Sequence, residues 1–460
     1  MHSKRSTAVT TIAAVATPIG RGGIGIVRLS GPKAFQISEM VTHRKISPRK
    51  ATFCTFQHPD GTAIDEGIAL LFKAPHSFTG EDVVELQGHG GVAVLQQVLE
   101  AVCAAGAVMA LPGEFSERAF LNGKMDLVQA EAVADLIDAS SNQAAQGALR
   151  SLQGEFSKKI LELNQCVIRI RVLLESALDF SDEEIPLVET QQVKDQLDEL
   201  VLRTEKIIAM AQQGARLHQG LSVVILGRPN AGKSSLLNCL AQKETAIVTD
   251  IAGTTRDVLQ ESIHIQGMPL HIIDTAGLRE TDDVIEREGV RRAWLQAQQA
   301  DCIVWVLDVS DHLLSPEDLM EQYAVIQKNR SPATPVVVIL NKEDLKQTML
   351  LPESLQHLPH FKVSAKYQQG IEEFKKYLLS VAGVQCNEGG TFSARTRHIH
   401  ALQHALTKMS HAIEILQQTQ AFELVAEELK MSQRALGEIT GHVTSDDLLG
   451  EIFSTFCIGK

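Results

Sequence analysis

Gly227-Arg-Pro-Asn-Ala-Gly-Lys-Ser234 is the most informative stretch of this chain. It fits G-x-x-x-x-G-K-[ST], follows the apolar run Leu221-Ser-Val-Val-Ile-Leu226 and precedes the helix-like run Ser235-Leu-Leu-Asn-Cys-Leu240. A strand, a glycine-rich loop and a helix in this order form a phosphate cradle, because backbone N–H groups turn inward and the helix N-terminus is positive. We expect Lys233 to reach the β- and γ-phosphates of a nucleotide, and the Ser234 hydroxyl to coordinate Mg²⁺.

Three further motifs follow in order, each at the end of an apolar, strand-like run. They are Asp274-Thr-Ala-Gly277, Asn341-Lys-Glu-Asp344 and Ser364-Ala-Lys366. A carboxylate at the end of a strand can hold the Mg²⁺ shell, and a glycine N–H can sense the γ-phosphate. We predict these two roles for Asp274 and Gly277.

The second and third motifs resemble the N-K-x-D and S-A-K signatures of GTP-binding proteins. On that resemblance, Asp344 would accept hydrogen bonds from the guanine N1–H and exocyclic amine, a pair of donors that adenine lacks. A backbone N–H of residues 364–366 would meet guanine O6. Each hydrogen bond lost to the wrong base costs about 1–3 kcal/mol. Four motifs in this order predict a GTP hydrolase.

Composition narrows the class of protein. A chain of 460 residues is too long for one core and predicts about three domains. Its net charge of −13 argues against a broad basic face that binds RNA unaided. The 7 cysteines are scattered without a C-x-x-C pair, as in a reducing compartment without a zinc site. No apolar run approaches ~18 residues, so we predict no membrane span. The expected compartment is the cytoplasm.

The residue pattern changes character three times along the chain. Residues 1–120 mix strand-like runs with a helix near 91–105, which predicts an α+β domain. Residues 121–217 and 384–460 are helical in pattern, and residues 218–383 carry the four motifs. The predicted fold class is multidomain α/β, with a Ras-like parallel-sheet GTPase domain inserted into a helical domain. A separate second helical bundle remains the alternative.

Apolar spacing of three and four predicts the buried faces of the helices. One such face comprises Leu127, Ala130, Val133, Ala134 and Ile137, and another comprises Ile160, Leu163, Val167, Ile170 and Leu174. Three histidines lie close together on a later helix, at positions 398, 400 and 404. Without a carboxylate or cysteine at ligand spacing, we interpret them as solvated side chains rather than metal ligands.

The D-x-x-G motif lacks one expected catalytic residue. In Ras-like hydrolases a glutamine after this glycine orients the attacking water, whereas here Leu278 follows. Another group must supply about 4–7 kcal/mol of transition-state stabilisation. Arg279, Glu280 and Glu286 are the nearby candidates. For Arg279 and Glu280, a solvated charge on a switch loop is an equally good interpretation.

Further motifs extend over the whole chain. They are Gly20-Arg-Gly-Gly-Ile-Gly-Ile-Val-Arg28, Ser77-Phe-Thr-Gly-Glu-Asp82, Glu85-Leu-Gln-Gly-His-Gly-Gly91, Gly113-Glu-Phe-Ser-Glu-Arg-Ala-Phe120, Lys124-Met-Asp126, Asp135-Leu-Ile-Asp-Ala139, Gly253-Thr-Thr-Arg-Asp257, Asp274-Thr-Ala-Gly-Leu-Arg279 and Cys457-Ile-Gly-Lys460. Together they resemble the MnmE (TrmE) family of tRNA-modification GTPases, and the terminal tetrapeptide is the most family-specific of them.

The resemblance implies how GTP is held and hydrolysed. K⁺ would be coordinated by Asn230, Thr249, Ile251 and Thr254, in the position where other hydrolases place an arginine finger. Mg²⁺ would be held by Ser234 and Thr255, Glu286 would orient water at one remove, and Arg279 is a further catalytic candidate. Two protomers would close their GTPase domains on each other. The implied GTP-binding residues are Asn230, Ala231, Gly232, Lys233, Ser234, Ser235, Thr249, Asp250, Ile251, Ala252, Gly253, Thr254, Thr255, Asp274, Thr275, Ala276, Gly277, Asn341, Lys342, Asp344, Ser364, Ala365 and Lys366.

The resemblance also implies a reduced-folate site of the 5-formyl- or 5,10-methylene-tetrahydrofolate type. Arg28, Glu85, Lys124 and Lys460 would contact the folate, since a carboxylate suits the pterin donors and cations suit the glutamate tail. The alternative is that Arg28 and Glu85 form an ordinary structural pair. Cys457 is a candidate nucleophile or base, and a positioning role is the alternative.

The implied function is a homodimeric GTPase that works with an FAD-dependent partner of the MnmG (GidA) type. The two would add an aminomethyl or carboxymethylaminomethyl group to C5 of wobble uridine, U34, in certain tRNAs. The first alternative is a ribosome-assembly GTPase switch, which would carry an RNA-binding appendage. The second alternative is a stand-alone folate-dependent transferase with a regulatory GTPase domain.

Overall fold

A computed structural model describes residues 10–179, 190–241, 260–265, 268–274, 298, 300–311, 314–332, 334–345, 350–382, 392–419, 421–443 and 446–459. The chain divides into two compact units. The first comprises Met1–Ala134, Leu152–Val201 and His404–Lys460, and the second comprises Asp135–Ser151 and Leu202–Gln403. Among the helices in the described ranges, none has both the length and the apolar character needed to cross a membrane.

Strands and helices alternate in blocks along the chain. The strands are β1 Ile12–Val15, β2 Gly22–Ser30, β3 Thr52–Gln57, β4 Ala63–Phe72, β5 Val83–Gly90, β6 Val108–Met109, β7 Leu221–Leu226, β8 Gln260–Ile265, β9 Met268–Asp274, β10 Cys302–Asp308, β11 Val336–Asn341 and β12 His360–Val363. The helices are α1 Ala34–Thr42, α2 Val92–Ala104, α3 Glu114–Leu121, α4 Leu127–Asp138, α5 Asn142–Leu152, α6 Glu155–Asp179, α7 Thr190–Gln219, α8 Lys233–Ala241, α9 Pro316–Asn329, α10 Ile371–Val381, α11 Thr396–Gln418, α12 Phe422–Thr440 and α13 Asp446–Ser454.

The first unit is built on a six-stranded sheet in the order β3-β4-β5-β2-β1-β6. Neighbouring strands are antiparallel, except that β1 and β6 run parallel. Alternate residues of these strands are buried beneath α1 and α2, where Val27, Leu86 and Leu95 join one apolar core. The predicted helix near 91–105 is therefore present, at 92–104, and the α+β prediction for this region is confirmed.

The helices of the first unit pack on one another through the predicted apolar spacing. On α6, all five residues expected at the core, from Ile160 to Leu174, are at most 3% exposed, and α6 packs along α12. The helix α13 brings Phe453 and Phe456 against Leu127. This packing places the chain's last described residues against the first unit's own core.

The prediction for α4 is partly wrong. Ile137, expected in the core, is 44% exposed, whereas Glu131 and Asp135 on the other face are buried. Asp135 is 4% exposed because it accepts hydrogen bonds from the Arg395 guanidinium at 2.7 Å and from the Ser393 hydroxyl at 3.0 Å. A paired carboxylate can be buried, and an apolar pattern does not reveal the pairing.

One of the three neighbouring histidines also departs from its prediction. His398 is 1% exposed rather than solvated, and its Nδ1 accepts the backbone N–H of Arg395 at 3.0 Å. His398 thus supplies a hydrogen-bond acceptor at the start of α11, where backbone N–H groups lack helical partners. His400 and His404 are exposed as predicted.

The second unit contains a six-stranded sheet in the order β12-β11-β10-β7-β9-β8. Its strands are parallel, except that the edge strand β8 runs antiparallel to β9. Parallel sheets need cover on both faces. Residues of α8 and α10 pack on one face, and Leu319 and Ile326 of α9 pack on the other.

The register of this sheet brings the predicted motifs to one edge. Asp308, at the end of β10, is aligned with Asn341, and Asn341 is aligned with Val363 at the end of β12. Asp274 is aligned with Ile225 near the end of β7. Ligands of parallel sheets bind at this carboxyl edge. The second unit includes the whole of the range 218–383, together with flanking helical segments, and the insertion of one domain into another stays a prediction.

Candidate functional site

The phosphate-loop motif forms the turn between β7 and α8. Asn230 has φ of 61° and Gly232 has φ of 92°, so both of these residues are left-handed. A Cβ on Gly227 would lie 2.4 Å from the carbonyl oxygen of Val306, so only glycine fits there. Such alternation of backbone conformation directs successive N–H groups to one side, which is the geometry of an anion-binding nest.

Asn341 connects the phosphate loop to the loop after β12. Its Nδ2 donates to the carbonyl oxygen of Ala231 at 2.9 Å, and its Oδ1 accepts the backbone N–H of Ala365 at 3.2 Å. Asn341 is 2% exposed. A Cβ on Gly232 would lie 2.1 Å from this Nδ2, so the absent side chain is what lets the amide approach. The structure therefore brings three predicted residues into one buried network.

The loop after β12 is closed and tied to Asp344. The Ser364 hydroxyl donates to Asp344 Oδ1 at 2.6 Å, which orients the carboxylate. The backbone groups of Ser364 and Gln369 exchange hydrogen bonds at 3.1 and 3.2 Å, and Gly370, with φ of 73°, ends the turn before α10. The N-K-x-D and S-A-K motifs thus form one structure.

Lys233 and the two serines after it lie at the N-terminus of α8. The Lys233 ammonium donates to the carbonyl oxygens of Gly227 at 2.8 Å and Arg228 at 3.0 Å, which holds it across the loop. Ser234 and Ser235 are exposed. A cation and two hydroxyls therefore accompany the positive end of the helix dipole, a combination that suits an anionic ligand.

Asp308 belongs to this site and was not among the predicted residues. Lys342, which has φ of 68°, donates to Asp308 Oδ2 at 2.6 Å. Burial raises the pKa of Asp308, but hydrogen bonds from Lys342 and Ser310 outweigh it, so its pKa lies below the usual range. A charged pair beside Asn341 holds the Lys342 backbone in its strained conformation. The position of Asp308 at the end of an apolar run was the available signal.

Several predicted residues lie outside the described ranges. They are Thr249, Asp250, Ile251, Ala252, Gly253, Thr254, Thr255, Thr275, Ala276, Gly277, Arg279, Glu280, Glu286 and Lys460. The backbone of Asp274 ends β9. Its side chain lies outside the described part of the structure. Lys366 is exposed, with its ammonium 5.2 Å from the centre of the Tyr367 ring.

A second cluster lies in the first unit, around Arg28. Arg28 and Glu85 are cross-strand partners on β2 and β5, and the Arg28 Nε and Nη2 donate to Glu85 Oε1 at 3.1 and 2.9 Å. The guanidinium lies 5.7 Å from the ring centre of Phe78 and 5.9 Å from that of Phe115. Planar guanidinium groups pack well on aromatic faces. Phe78 was missed as a site residue, although it lies in the Ser77-Phe-Thr-Gly-Glu-Asp82 motif.

The C-terminal tetrapeptide reaches the same cluster. Arg28 Nη1 donates to the carbonyl oxygen of Gly459 at 3.5 Å. A Cβ on Gly459, which has φ of 95°, would lie 2.3 Å from the carbonyl oxygen of Val15. Cys457 is exposed, and its carbonyl oxygen accepts the N–H of Gly113 at 3.4 Å. The glycine lets the chain end lie close to the N-terminal sheet.

Lys124 lies beside the loop that carries Phe78. Its Nζ donates to the carbonyl oxygen of Pro75 at 3.0 Å, and its side-chain carbons lie 3.2 Å from where a Cβ on Gly80 would be. Lys124 is exposed. The structure therefore joins Arg28, Glu85 and the C-terminal segment directly, and it ties Lys124 to the neighbouring loop.

Comparisons with known proteins agree over nearly the whole chain. A family model described as "MnmE helical domain" matches residues 127–457, and one described as "GTP-binding protein TrmE N-terminus" matches residues 11–124. Curated proteins named "tRNA modification GTPase MnmE" from Mannheimia succiniciproducens and Histophilus somni (strain 129Pt) are each 52% identical to the chain, over 451 and 452 residues. These matches cover 98% of this chain and 99% of each relative. The chain belongs to the MnmE family.

A third MnmE relative, from Coxiella burnetii (strain Dugway 5J108-111), is 51% identical over 450 residues, which is 98% of each chain. The two clusters fall in different MnmE matches. Arg28, Glu85 and Lys124 lie within the N-terminal match, and the network around Asn341 lies within the helical-domain match. Cys457 is the last residue of the latter.

Proposed function

We propose that this chain hydrolyses GTP at the network around Asn341 and does so as part of tRNA modification, as the name of its relatives states for them. The bridge that Asn341 makes between Ala231 and Ala365 carries the proposal. It connects a loop suited to phosphates with a loop suited to a base. Asp344, held by Ser364, then accepts from the two guanine donors that adenine lacks.

The residues of the phosphate loop fit a nucleoside triphosphate and Mg²⁺. The backbone nest and the N-terminus of α8 receive the phosphate oxygens, and Lys233 neutralises charge at the β- and γ-positions. Ser234 and Thr255 would hold Mg²⁺, and Asp274 would support its outer shell. When bound, Mg²⁺ offsets the negative charge that develops on the phosphates. Gly277 would donate its N–H to the γ-phosphate.

We further propose that K⁺ completes the site. Asn230, Thr249, Ile251 and Thr254 would supply oxygen ligands, and the left-handed conformation of Asn230 supports a role at the rim of the loop. K⁺ would offset the charge that an arginine finger offsets elsewhere. Glu286 orients the water at one remove, with Arg279 as an additional candidate. The GTPase domains of two protomers close on each other to form this arrangement.

Turnover in different monovalent ions tests the hydrolytic proposal. GTP hydrolysis should be at least about tenfold faster in potassium chloride than in sodium chloride of equal ionic strength, with ATP hydrolysed in neither. Glu286→Ala should reduce turnover while GDP binding stays unchanged, and Glu321→Ala, at an exposed position of α9, is the control that should change neither. Equal rates in the two salts would remove K⁺ from the account, and unchanged turnover in Glu286→Ala would remove that residue.

For the Arg28 cluster we propose a reduced folate as ligand. Glu85 would accept from the pterin, Arg28 would contact the folate beside Glu85, and Lys124 and Lys460 would face the carboxylates of the glutamate tail. The closeness of Arg28 to Gly459 supports including Lys460, the next residue. Calorimetry with 5-formyltetrahydrofolate should give a saturable signal that Glu85→Gln abolishes. Undiminished binding in that variant would leave Arg28 and Glu85 as a structural pair.

We propose that the chain acts as a cytoplasmic homodimer with an FAD-dependent protein of the MnmG type. Together they would add an aminomethyl or carboxymethylaminomethyl group to C5 of U34 in certain tRNAs, with carbon from the folate. Cys457, exposed beside this cluster, is the candidate for contact with the uridine. Mass spectrometry of tRNA nucleosides should detect the product only when both proteins, GTP and the folate are present. Product formed without the flavoprotein would overturn the partnership.

A further inference from the structure

A thiol on the helix after the phosphate loop contacts the loop proposed to meet the base. Cys239 lies on α8, and its Sγ is 2.7 Å from the carbonyl oxygen of Ala365. A carbonyl oxygen can only accept, so the thiol is the donor. Cys239 is partly buried against the core of the sheet, on the side where Leu236 and Leu240 are packed.

Both backbone polar groups of Ala365, its N–H and its carbonyl oxygen, form hydrogen bonds. Its N–H donates to Asn341 Oδ1 at 3.2 Å, and its carbonyl oxygen accepts from Cys239. The residue is 7% exposed. The first bond ties the base loop to the end of β11, and the second ties it to the helix that begins at Lys233. Cys239 therefore links the phosphate end of the site to the base end by a route separate from Asn341.

The chemistry of the thiol suits a donor. Burial raises the pKa of Cys239, and the nearby ammonium of Lys375 offsets this only in part. Lys375 lies on α10 and is 8% exposed. A thiol with a raised pKa keeps its proton at neutral pH and reacts poorly as a nucleophile. The S–H group is consequently present to donate to Ala365.

We propose that Cys239 is a positioning residue for guanine recognition. By holding the Ala365 carbonyl, it fixes the peptide groups of residues 364–366 and so slows release of a guanine nucleotide. This inference rests on the proposed function, in which a backbone N–H of this loop meets guanine O6. Cys239 does not face the γ-phosphate in this account, so the hydrolytic step itself is independent of it.

Nucleotide binding by three variants of the full-length protein tests the inference. The probes are GDP and the diphosphate of 2-aminopurine riboside, which lacks O6. Cys239→Ala should release GDP about 3–10-fold faster, as expected for loss of one buried hydrogen bond, while affinity for the 2-aminopurine nucleotide is unchanged. Cys239→Ser, which keeps a donor, should lie closer to the wild-type protein. Cys302→Ala removes a thiol from the same core without touching the loop and should release GDP at the wild-type rate.

The outcomes separate positioning from general destabilisation. With Cys239→Ala, kcat at saturating GTP should stay within about twofold of wild type while KM rises. The inference would be overturned if Cys239→Ala lost affinity equally for GDP and the 2-aminopurine nucleotide. It would also be overturned if Cys239→Ser released GDP as fast as Cys239→Ala. In either case Cys239 would be a packing residue only. A failure of the proposed function would look different, because the wild-type protein would then show no preference for GDP over the 2-aminopurine nucleotide.

Discussion

Replacing Gly232 by alanine perturbs the network around Asn341 at its tightest point. The new Cβ would lie 2.1 Å from Asn341 Nδ2, far inside van der Waals contact, and φ of 92° is a conformation that alanine rarely adopts. The amide of Asn341 must move, and the hydrogen bonds to Ala231 and Ala365 are then lost together. The phosphate loop and the base loop would no longer be held in register.

The size of the effect follows from these contacts. Two buried hydrogen bonds are worth about 1–3 kcal/mol each when one partner is displaced. If roughly half of that loss is expressed in binding, GDP affinity falls by about 1–3 kcal/mol, which is about 5- to 150-fold. The left-handed backbone adds about 1 kcal/mol to the loss of folding stability. Fluorescent GDP titration measures the first quantity, and urea unfolding measures the second.

Gly61 provides a matched control. Its φ of 89° is nearly that of Gly232, but a Cβ there would meet nothing within 4 Å. Gly61→Ala should therefore lose about 1 kcal/mol of stability and keep wild-type affinity for GDP. If Gly232→Ala binds GDP as tightly as Gly61→Ala does, the close approach of Gly232 and Asn341 does not organise the site.

The remaining predictions concern single pairs. Asp135→Ala should lower the free energy of unfolding in urea by about 3–5 kcal/mol, because it leaves Arg395 without its buried carboxylate. The double variant with Arg395→Ala should lose clearly less unfolding free energy than the two single variants lose together. Losses that add would show that the pair is not coupled. Arg28→Lys removes the forked bond to Glu85 and should weaken 5-formyltetrahydrofolate binding about tenfold, whereas unchanged calorimetry would assign the arginine to folding alone. The lowered pKa of Asp308 means that its ion pair stabilises the fold above pH 3.8 and is lost as pH falls through the folded-state value. Unfolding of Asp308→Asn should consequently depend less on acidification below pH 3.8 than unfolding of wild type, and parallel curves would contradict this.

Local patterns predicted those parts of the fold that depend on near neighbours in sequence. The buried face of α6 follows from spacing alone, because each residue packs through the same stripe. The phosphate loop was predicted because glycine, lysine and serine must occur at fixed offsets between a strand and a helix. The convergence of N-K-x-D and S-A-K followed from both motifs ending parallel strands of one sheet.

Contacts between distant segments could not be predicted in this way. The sequence pattern did not predict the burial of Asp135, because its partner, Arg395, is 260 positions away. The pairing of Lys342 with Asp308 depends on the register of β10 and β11, which no single segment encodes. The contact of Cys239 with Ala365 likewise depends on how α8 lies on the sheet. In each case the chemistry was visible in sequence and the proximity was not.

Exchange of the base specificity is the decisive test of whether Asp344 recognises guanine. Asp344→Asn replaces one acceptor by a donor, so the site should lose its match to the guanine amine and gain one to xanthine, which carries a carbonyl at that position. We expect GTP hydrolysis to fall at least about hundredfold and xanthosine triphosphate to become the better substrate. Undiminished GTP hydrolysis, with no gain for xanthosine triphosphate, would show that Asp344 does not read the base.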